Sequence, residues 1–247
     1  MENQNYWGDK HNYMLYQKGA FSEFIFAAIE QLTKKNFANV DAIIELGAGM
    51  GRFSHAFIGR FPKVYLVEPS PVYAQVLREL FPQANVKVIE EGAERFFQEF
   101  QTGDDEAVCF CFHVLHHLSQ EQRSQIFESI QRLKIDAFFI DPNPFNPLIL
   151  LQILIHPAMK FEEEKGYLKL TRRKLLNECA ACGLSKARHF YFCLLPPTIL
   201  NRTLSPKLSA FLLRLESLAL RCPVFASYQM LYVQPETPTQ ETKGSHE

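Results

Sequence analysis

The stretch IIELGAGMGRF, Ile43 to Phe53, places Gly47, Gly49 and Gly51 directly behind an apolar run. Glycines at such a turn let a ligand approach the backbone, because a side chain there would block it. The stretch therefore reads as the first strand-to-helix turn of a nucleotide-binding α/β fold. A dinucleotide fingerprint requires G-x-G-x-x-G. Counted from Gly47 and Gly49, the third glycine falls on Arg52, and counted from Gly49 and Gly51 it falls on Ser54. The nicotinamide pattern fails in both registers.

Outward from this turn the chain alternates between strand and helix patterns. Strands are expected at 42–46, 63–67 (KVYLV), 86–89, 107–112 (AVCFCF) and 136–140 (DAFFI). Helices are expected from the glycine turn through about Phe61, then at 71–80, 94–100 and 120–133. This rhythm predicts βαβ units and a doubly wound, Rossmann-like sheet of seven strands, mostly parallel with an antiparallel edge strand. Before it, AFSEFIFAAIEQLTKK (20–35) has the spacing of an amphipathic helix within an N-terminal helical cap, 1–40. The cap also carries Tyr6, Trp7, Tyr13 and Tyr16, aromatics that would pack on the core or cover a ligand. After the fifth strand the rhythm breaks. DPNPFNPLILLQILIHPAMKFEEEKGYLKL (141–170) reads as a lid, with the insertion proper at about 143–170 and FEEEKGY as a solvated loop. Thr171 is the expected N-cap of a further helix. Segments 186–195 and 226–234 read as a final antiparallel pair of strands, separated by a helix over 205–220. The domain is expected to span 41–234, with 235–247 a disordered tail.

Composition limits the partners. The 247 residues are 47% apolar and 21% charged with a net charge of −1, as in a globular protein without a basic excess, which argues against a nucleic-acid partner. The N-terminus lacks the apolar core and cleavage site of a secretory signal, and the run LILLQILI (148–155) is too short to span a bilayer, so a cytoplasmic location is expected. Of the six cysteines, Cys179 and Cys182 form a CxxC. No second pair stands at metal spacing, and the segment reads as a helix end with Gly183 as its stop, so the expected role is packing and no metal site is expected.

The sequence E-L-G-A-G-M-G, with Glu45 two residues before the first glycine, resembles motif I of the class I S-adenosylmethionine-dependent methyltransferases. The match extends over about 41–234 and is similar to the small-molecule members. Glu68 closes the second strand in YLVEPSP, where the family sets an acid on the ribose hydroxyls. EEGAERF (90–96) resembles the adenine-side loop, HVLHHL (113–118) the segment after strand four, and DPNPFNP a proline-rich variant of the segment after strand five. The resemblance implies S-adenosylmethionine as cofactor. It implies that Glu45 and the backbone of Gly47, Ala48, Gly49 and Gly51 hold its methionine end. Glu68 and Pro69 would lie at the ribose, and Phe112 and His113 near the sulfonium. Gly92 departs from the family's frequent acidic contact, which leaves Ala93 backbone, Glu91 and Glu94 as alternatives at the adenine.

Methyl transfer requires alignment more than covalent help, since the sulfonium is already an activated donor. A hydroxyl or amine acceptor also needs a base, and histidine suits that role near neutral pH. His116, His117 and His113 are the catalytic candidates. The competing role for HVLHHL is structural, with one histidine packed on the sheet and another capping the next helix. DPNPF is similar to the tetrad of amino-methylating DNA enzymes, but a residue separates its prolines and it follows strand five instead of strand four. Asp141 and Asn143 are offered to the substrate. The lid residues Phe145, Leu148, Ile149, Leu151 and Ile153, with 22 phenylalanines in the chain, suggest a small-molecule or lipid-like acceptor, and core packing is the competing explanation. The alternative functions are an NAD(P)-dependent oxidoreductase and a non-catalytic, cofactor-binding partner subunit.

Overall fold

The computed structural model describes residues 20–155, 161–194, 205–219 and 223–235. The aromatic N-terminal segment, the C-terminal tail and HPAMK of the lid lie outside them. Seven strands form one sheet in the order β3-β2-β1-β4-β5-β7-β6. They are β1 (Ala42–Leu46), β2 (Lys63–Val67), β3 (Val86–Ile89), β4 (Ala107–Phe112), β5 (Asp136–Pro142), β6 (Arg188–Phe192) and β7 (Tyr228–Val233). The first five pair in parallel, and β7 runs antiparallel to both β5 and β6. The fold is thus the Rossmann-like sheet expected, with its reversed strand inserted one place from the edge. β5 extends two residues past the expected Ile140, because Asp141 and Pro142 pair with Gln229 and Tyr228 of β7.

The central strands are buried on both faces, which is why they read as unbroken apolar runs. Alternate residues divide between two cores. Ile43, Val108, Phe110, Phe138 and Met230 face one side, where α1 (Ala20–Thr33) packs through Phe21, Phe24, Ile25, Ala28 and Ile29. Ile44, Leu46, Cys109, Cys111 and Phe139 face the other. There they meet Phe96 and Phe97 of α3 (Ala93–Glu99), Ile126, Phe127 and Ile130 of α4 (Gln120–Leu133) and Leu175 of α7 (Arg172–Ala181). The remaining helices are α2 (Pro71–Leu80), α5 (Pro147–Ile155), the short α6 (Phe161–Glu164) and α8 (Pro206–Ala219).

Most phenylalanines belong to these cores. Phe26 alone meets Phe37, Phe57, Phe61 and Phe110. The phenylalanine content therefore reflects packing and carries no information about the acceptor. Cys179 is likewise buried in the core, and the Cys182 thiol donates to the Ser124 carbonyl at 3.8 Å.

Two segments depart from expectation. The glycine turn is not followed by a regular helix. Residues 54–56 form one 3-10 turn, followed by mixed i→i+3 and i→i+4 bonds that Gly59, at φ 78°, interrupts. The acidic stretch FEEEKGY is not a solvated loop. It forms α6 and a 3-10 turn over Lys165–Lys169 that buries Tyr167 completely against Ile149 and Ile153 of α5.

Candidate functional site at the carboxyl ends of the strands

β2 and β4 flank β1 on opposite sides, so the chain reverses its winding between β1 and β4. In open α/β sheets, ligands bind outside the carboxyl ends of the strands at such a point. All the residues expected around a cofactor lie there.

Each glycine of the turn has a positive φ, 64° at Gly47, 55° at Gly49 and 81° at Gly51. Their surroundings differ. A Cβ on Gly47 would stand 2.3 Å from Val114 Cγ2, and one on Gly51 would stand 2.5 Å from Phe81 Cε2. These two glycines permit close packing. A Cβ on Gly49 would meet nothing within 4 Å, so its free face is open. The turn is anchored to β2 by bonds from Gly47 N and Ala48 N to the Val67 carbonyl.

The two acids expected at the cofactor lie on either side of this turn. Glu45 is 1% exposed, and Ser54 Oγ donates to its Oε2 at 2.5 Å. Burial pushes the Glu45 carboxyl up to about 8, against the opposing Ser54 bond, with the Glu68 charge adding to the rise. Glu68 accepts from Gly49 N at 2.8 Å and from Ser70 N at 2.9 Å. Burial raises its pKa, and those two backbone bonds moderate the rise. Pro69 leads from Glu68 into α2. Ala93 and Glu94 open α3 at the end of β3, behind Gly92 as N-cap. Glu91 is paired with Arg95 at 3.3 Å, whereas Glu94 Oε1 is buried without a hydrogen-bond partner.

HVLHHL divides its histidines. Phe112 ends β4 and stacks on Phe53, with ring centroids 4.0 Å apart at 7°. His113 takes a left-handed φ of 58° and turns the chain, its N–H donating to the Ile140 carbonyl at 2.7 Å. Its ring packs between Phe53 and Tyr228, and burial, with the Arg52 charge, holds its pKa well below the usual histidine value. His116 is buried in the 3-10 turn Leu115–His117. Its Nδ1 lies 2.5 Å from Asp141 Oδ1 and its Nε2 lies 3.3 Å from Glu164 Oε2. Burial opposes the imidazolium, but the bonds and charges of the two carboxylates prevail and hold its pKa at about 9. His117 is exposed, its ring 3.9 Å from that of His116. None of the three caps the next helix. Ser119 does so, in a reciprocal capping box with Gln122.

Sequence reasoning missed the Asp141–His116–Glu164 group. Its members are 25 and 48 residues apart, and no local pattern links them. Gly166 makes the approach possible. A Cβ there would stand 2.1 Å from the His116 carbonyl oxygen, so only glycine lets the lid backbone lie against this turn. Asn143, expected to face a substrate, is instead fully buried. Its side-chain amide donates to the Ala226 carbonyl at 2.8 Å, and its Oδ1 accepts from Phe145 N. Asn146 repeats the pattern with Ala226 and Leu148. The two asparagines lock DPNPFNP onto the segment that leads into β7.

The comparisons agree with this geometry. Residues 43–134 match a family described as a methyltransferase domain. No curated protein matches the chain. A solved S-adenosylmethionine-dependent methyltransferase from Archaeoglobus fulgidus is similar over 86% of this chain and 94% of its own, at 13% identity and a TM-score of 0.59. The plantazolicin methyltransferase BamL, solved with SAH and a desmethyl-plantazolicin analogue, is similar over 94% of each chain, at 12% identity and a TM-score of 0.57. A methyltransferase assigned to antibiotic biosynthesis in Anabaena variabilis is similar over 85% of this chain and 96% of its own, at 16% identity and a TM-score of 0.55. Fold and strand-end site together define a Rossmann-like, class I architecture. Residues 43–134 thus match a methyltransferase domain, and the fold around them is that of the solved S-adenosylmethionine-dependent methyltransferases. The matched segment and the failed dinucleotide fingerprint both count against the nicotinamide alternative.

Proposed function

We propose that the chain transfers a methyl group from S-adenosylmethionine to a small-molecule or lipid-like acceptor by in-line displacement. The observation that carries the cofactor arrangement is the Glu68 carboxylate, held by Gly49 N–H beside the open face of that glycine. A carboxylate at this strand end can accept from both ribose hydroxyls of the cofactor. Glu45 and the turn from Gly47 through Ala48 and Gly49 to Gly51 hold the methionine end, and Pro69 borders the ribose. The unpartnered Glu94 Oε1, with the Ala93 backbone, receives the adenine amine. Phe112 and His113 line the sulfonium.

When bound, S-adenosylmethionine would supply its methyl group to an acceptor atom placed opposite the sulfur, with the bonding electron pair staying on the sulfur, and exclusion of water would protect the transfer. His116 has both ring nitrogens engaged and His113 is a weak base, so exposed His117 takes the acceptor's proton while His116 positions it. α5 buries Ile149 and Ile153 but leaves Leu148, Leu151 and Leu154 more than half exposed, with Phe145 half exposed before it. This apolar face supports an apolar acceptor. Among the described residues no helix is long and apolar enough to cross a membrane. Two measurements test the proposal, S-adenosylhomocysteine calorimetry and incubation of labelled cofactor with a metabolite extract. Micromolar binding and a labelled small product are expected. Absence of binding would overturn it. Normal turnover in His117→Ala would remove that residue as base.

A further inference from the structure

We propose that His116, His117 and Glu164 form a binding site for one divalent transition-metal ion of the zinc type, backed by Asp141. One ligand atom from each of the three residues, a ring nitrogen or a carboxylate oxygen, lies within 4.8 Å of the other two. Asp141 Oδ1 lies 2.5 Å from His116 Nδ1 and fixes the ring with Nε2 facing Glu164, so an ion that displaced the Nε2 proton would meet a lone pair already aimed at that carboxylate. A carboxylate fixing one ring nitrogen while the other faces a ligand site is the usual arrangement behind metal-bound histidine.

The spacing is informative. Charge-assisted N–H···O bonds settle at about 2.7–2.9 Å. His116 Nε2 and Glu164 Oε2 stand 3.3 Å apart. Two ligands bound at about 2.1 Å to a tetrahedral ion lie ~3.4 Å apart. The pair is therefore already at ligand spacing, and rotation of the exposed His117 ring brings in the third donor. The fold has also gone to some length to bring Glu164 here. Gly166 admits the lid backbone against the His116 carbonyl, and Tyr167 anchors the same turn in a small core of its own.

Two imidazole nitrogens and one carboxylate suit zinc, cobalt or nickel, whereas magnesium and calcium favour oxygen-only shells. Three protein ligands leave a position open for water or an acceptor oxygen. A hydroxyl bound there would give its proton to solvent near neutral pH, replacing the role assigned above to His117. The binding site itself does not depend on that step or on the acceptor's identity.

The test uses untagged, chelator-stripped protein. Zinc binding is measured by calorimetry and equilibrium dialysis, and the coordination by the visible ligand-field spectrum of added cobalt. One equivalent per chain, unaffected by excess magnesium, is expected. His117→Ala alters an exposed side chain and should weaken zinc binding at least ~10-fold, as should Glu164→Gln. Asp141→Asn should weaken it by about 10- to 100-fold. Circular dichroism and S-adenosylhomocysteine binding check that each variant is folded. Substoichiometric zinc uptake would overturn the proposal, as would folded His117→Ala and Glu164→Gln proteins that bind like the parent. Zinc binding without S-adenosylhomocysteine binding would leave this site standing and sink the methyl-transfer reading. The reverse result would sink only the metal site.

Discussion

Glu68→Gln changes one atom and separates two roles of that side chain. Glu68 is 6% exposed, and each of its carboxylate oxygens accepts one backbone N–H, from Ser70 and from Gly49. Glutamine offers one oxygen and one NH2. One of the two N–H groups then faces another donor, and a buried group left unsatisfied costs about 1–3 kcal/mol. Removing the charge offsets part of this, because burial already disfavours the ionised form. The net loss of stability should therefore be small, near 1 kcal/mol. Cofactor affinity should suffer more. The variant loses one of two hydrogen bonds from the ribose to a charged acceptor, each worth about 1.5–3 kcal/mol. At 1.4 kcal/mol per tenfold, S-adenosylhomocysteine should bind about 10- to 100-fold more weakly. Calorimetry gives the affinity and urea denaturation the stability. A folded variant binding within about twofold of the parent would refute the ribose assignment, since the loss expected is at least tenfold.

Two more predictions concern other buried ionisable groups. Glu45 holds its proton up to about pH 8 in the fold, against 4.5 for an ordinary carboxyl, so the native state binds more protons than the unfolded chain across that window. Stability should fall as pH rises from 4.5 toward 8 and level off above. The drop is on the order of a few kcal/mol at ~1.4 kcal/mol per unit. Denaturation of Glu45→Gln should show a shallower slope, and an unchanged slope would remove Glu45 as its source. Arg123 and Glu178, both buried, share two bonds of 2.8 and 2.7 Å between α4 and α7. Arg123→Met should cost about 3–5 kcal/mol by leaving the buried Glu178 with only the distant Lys174 ammonium, 3.8 Å away, and adding Glu178→Leu should recover most of it. A double variant no more stable than the single one would contradict this account.

Much of the frame was legible before any coordinates. Strands β1 and β4 begin and end where their apolar runs do, because both of their faces are covered, and β2 and β3 end where their alternating apolar residues do. The glycine turn was legible because positive φ and close approach admit few other residues. The helix expected after it was not, since Gly59 and the packing of Phe53, Phe57 and Phe61 favour tighter turns over a regular helix. The same limit affected β5. Its last two residues are strand only because β7 arrives beside them from far along the chain.

The fold class was determined by the sequence itself, and the residues on which the proposed cofactor rests were legible there too. They rest on local rules, glycines at a strand end and an acid closing the next strand, which each segment satisfies alone. The tertiary structure decided how the acceptor side is built. FEEEKGY is acidic and reads as solvated, yet the fold brings Glu164 onto His116 and Asp141 behind it. Such a group depends on β5, the turn after β4 and the lid meeting in space. No periodicity or spacing within any one of those segments records that meeting.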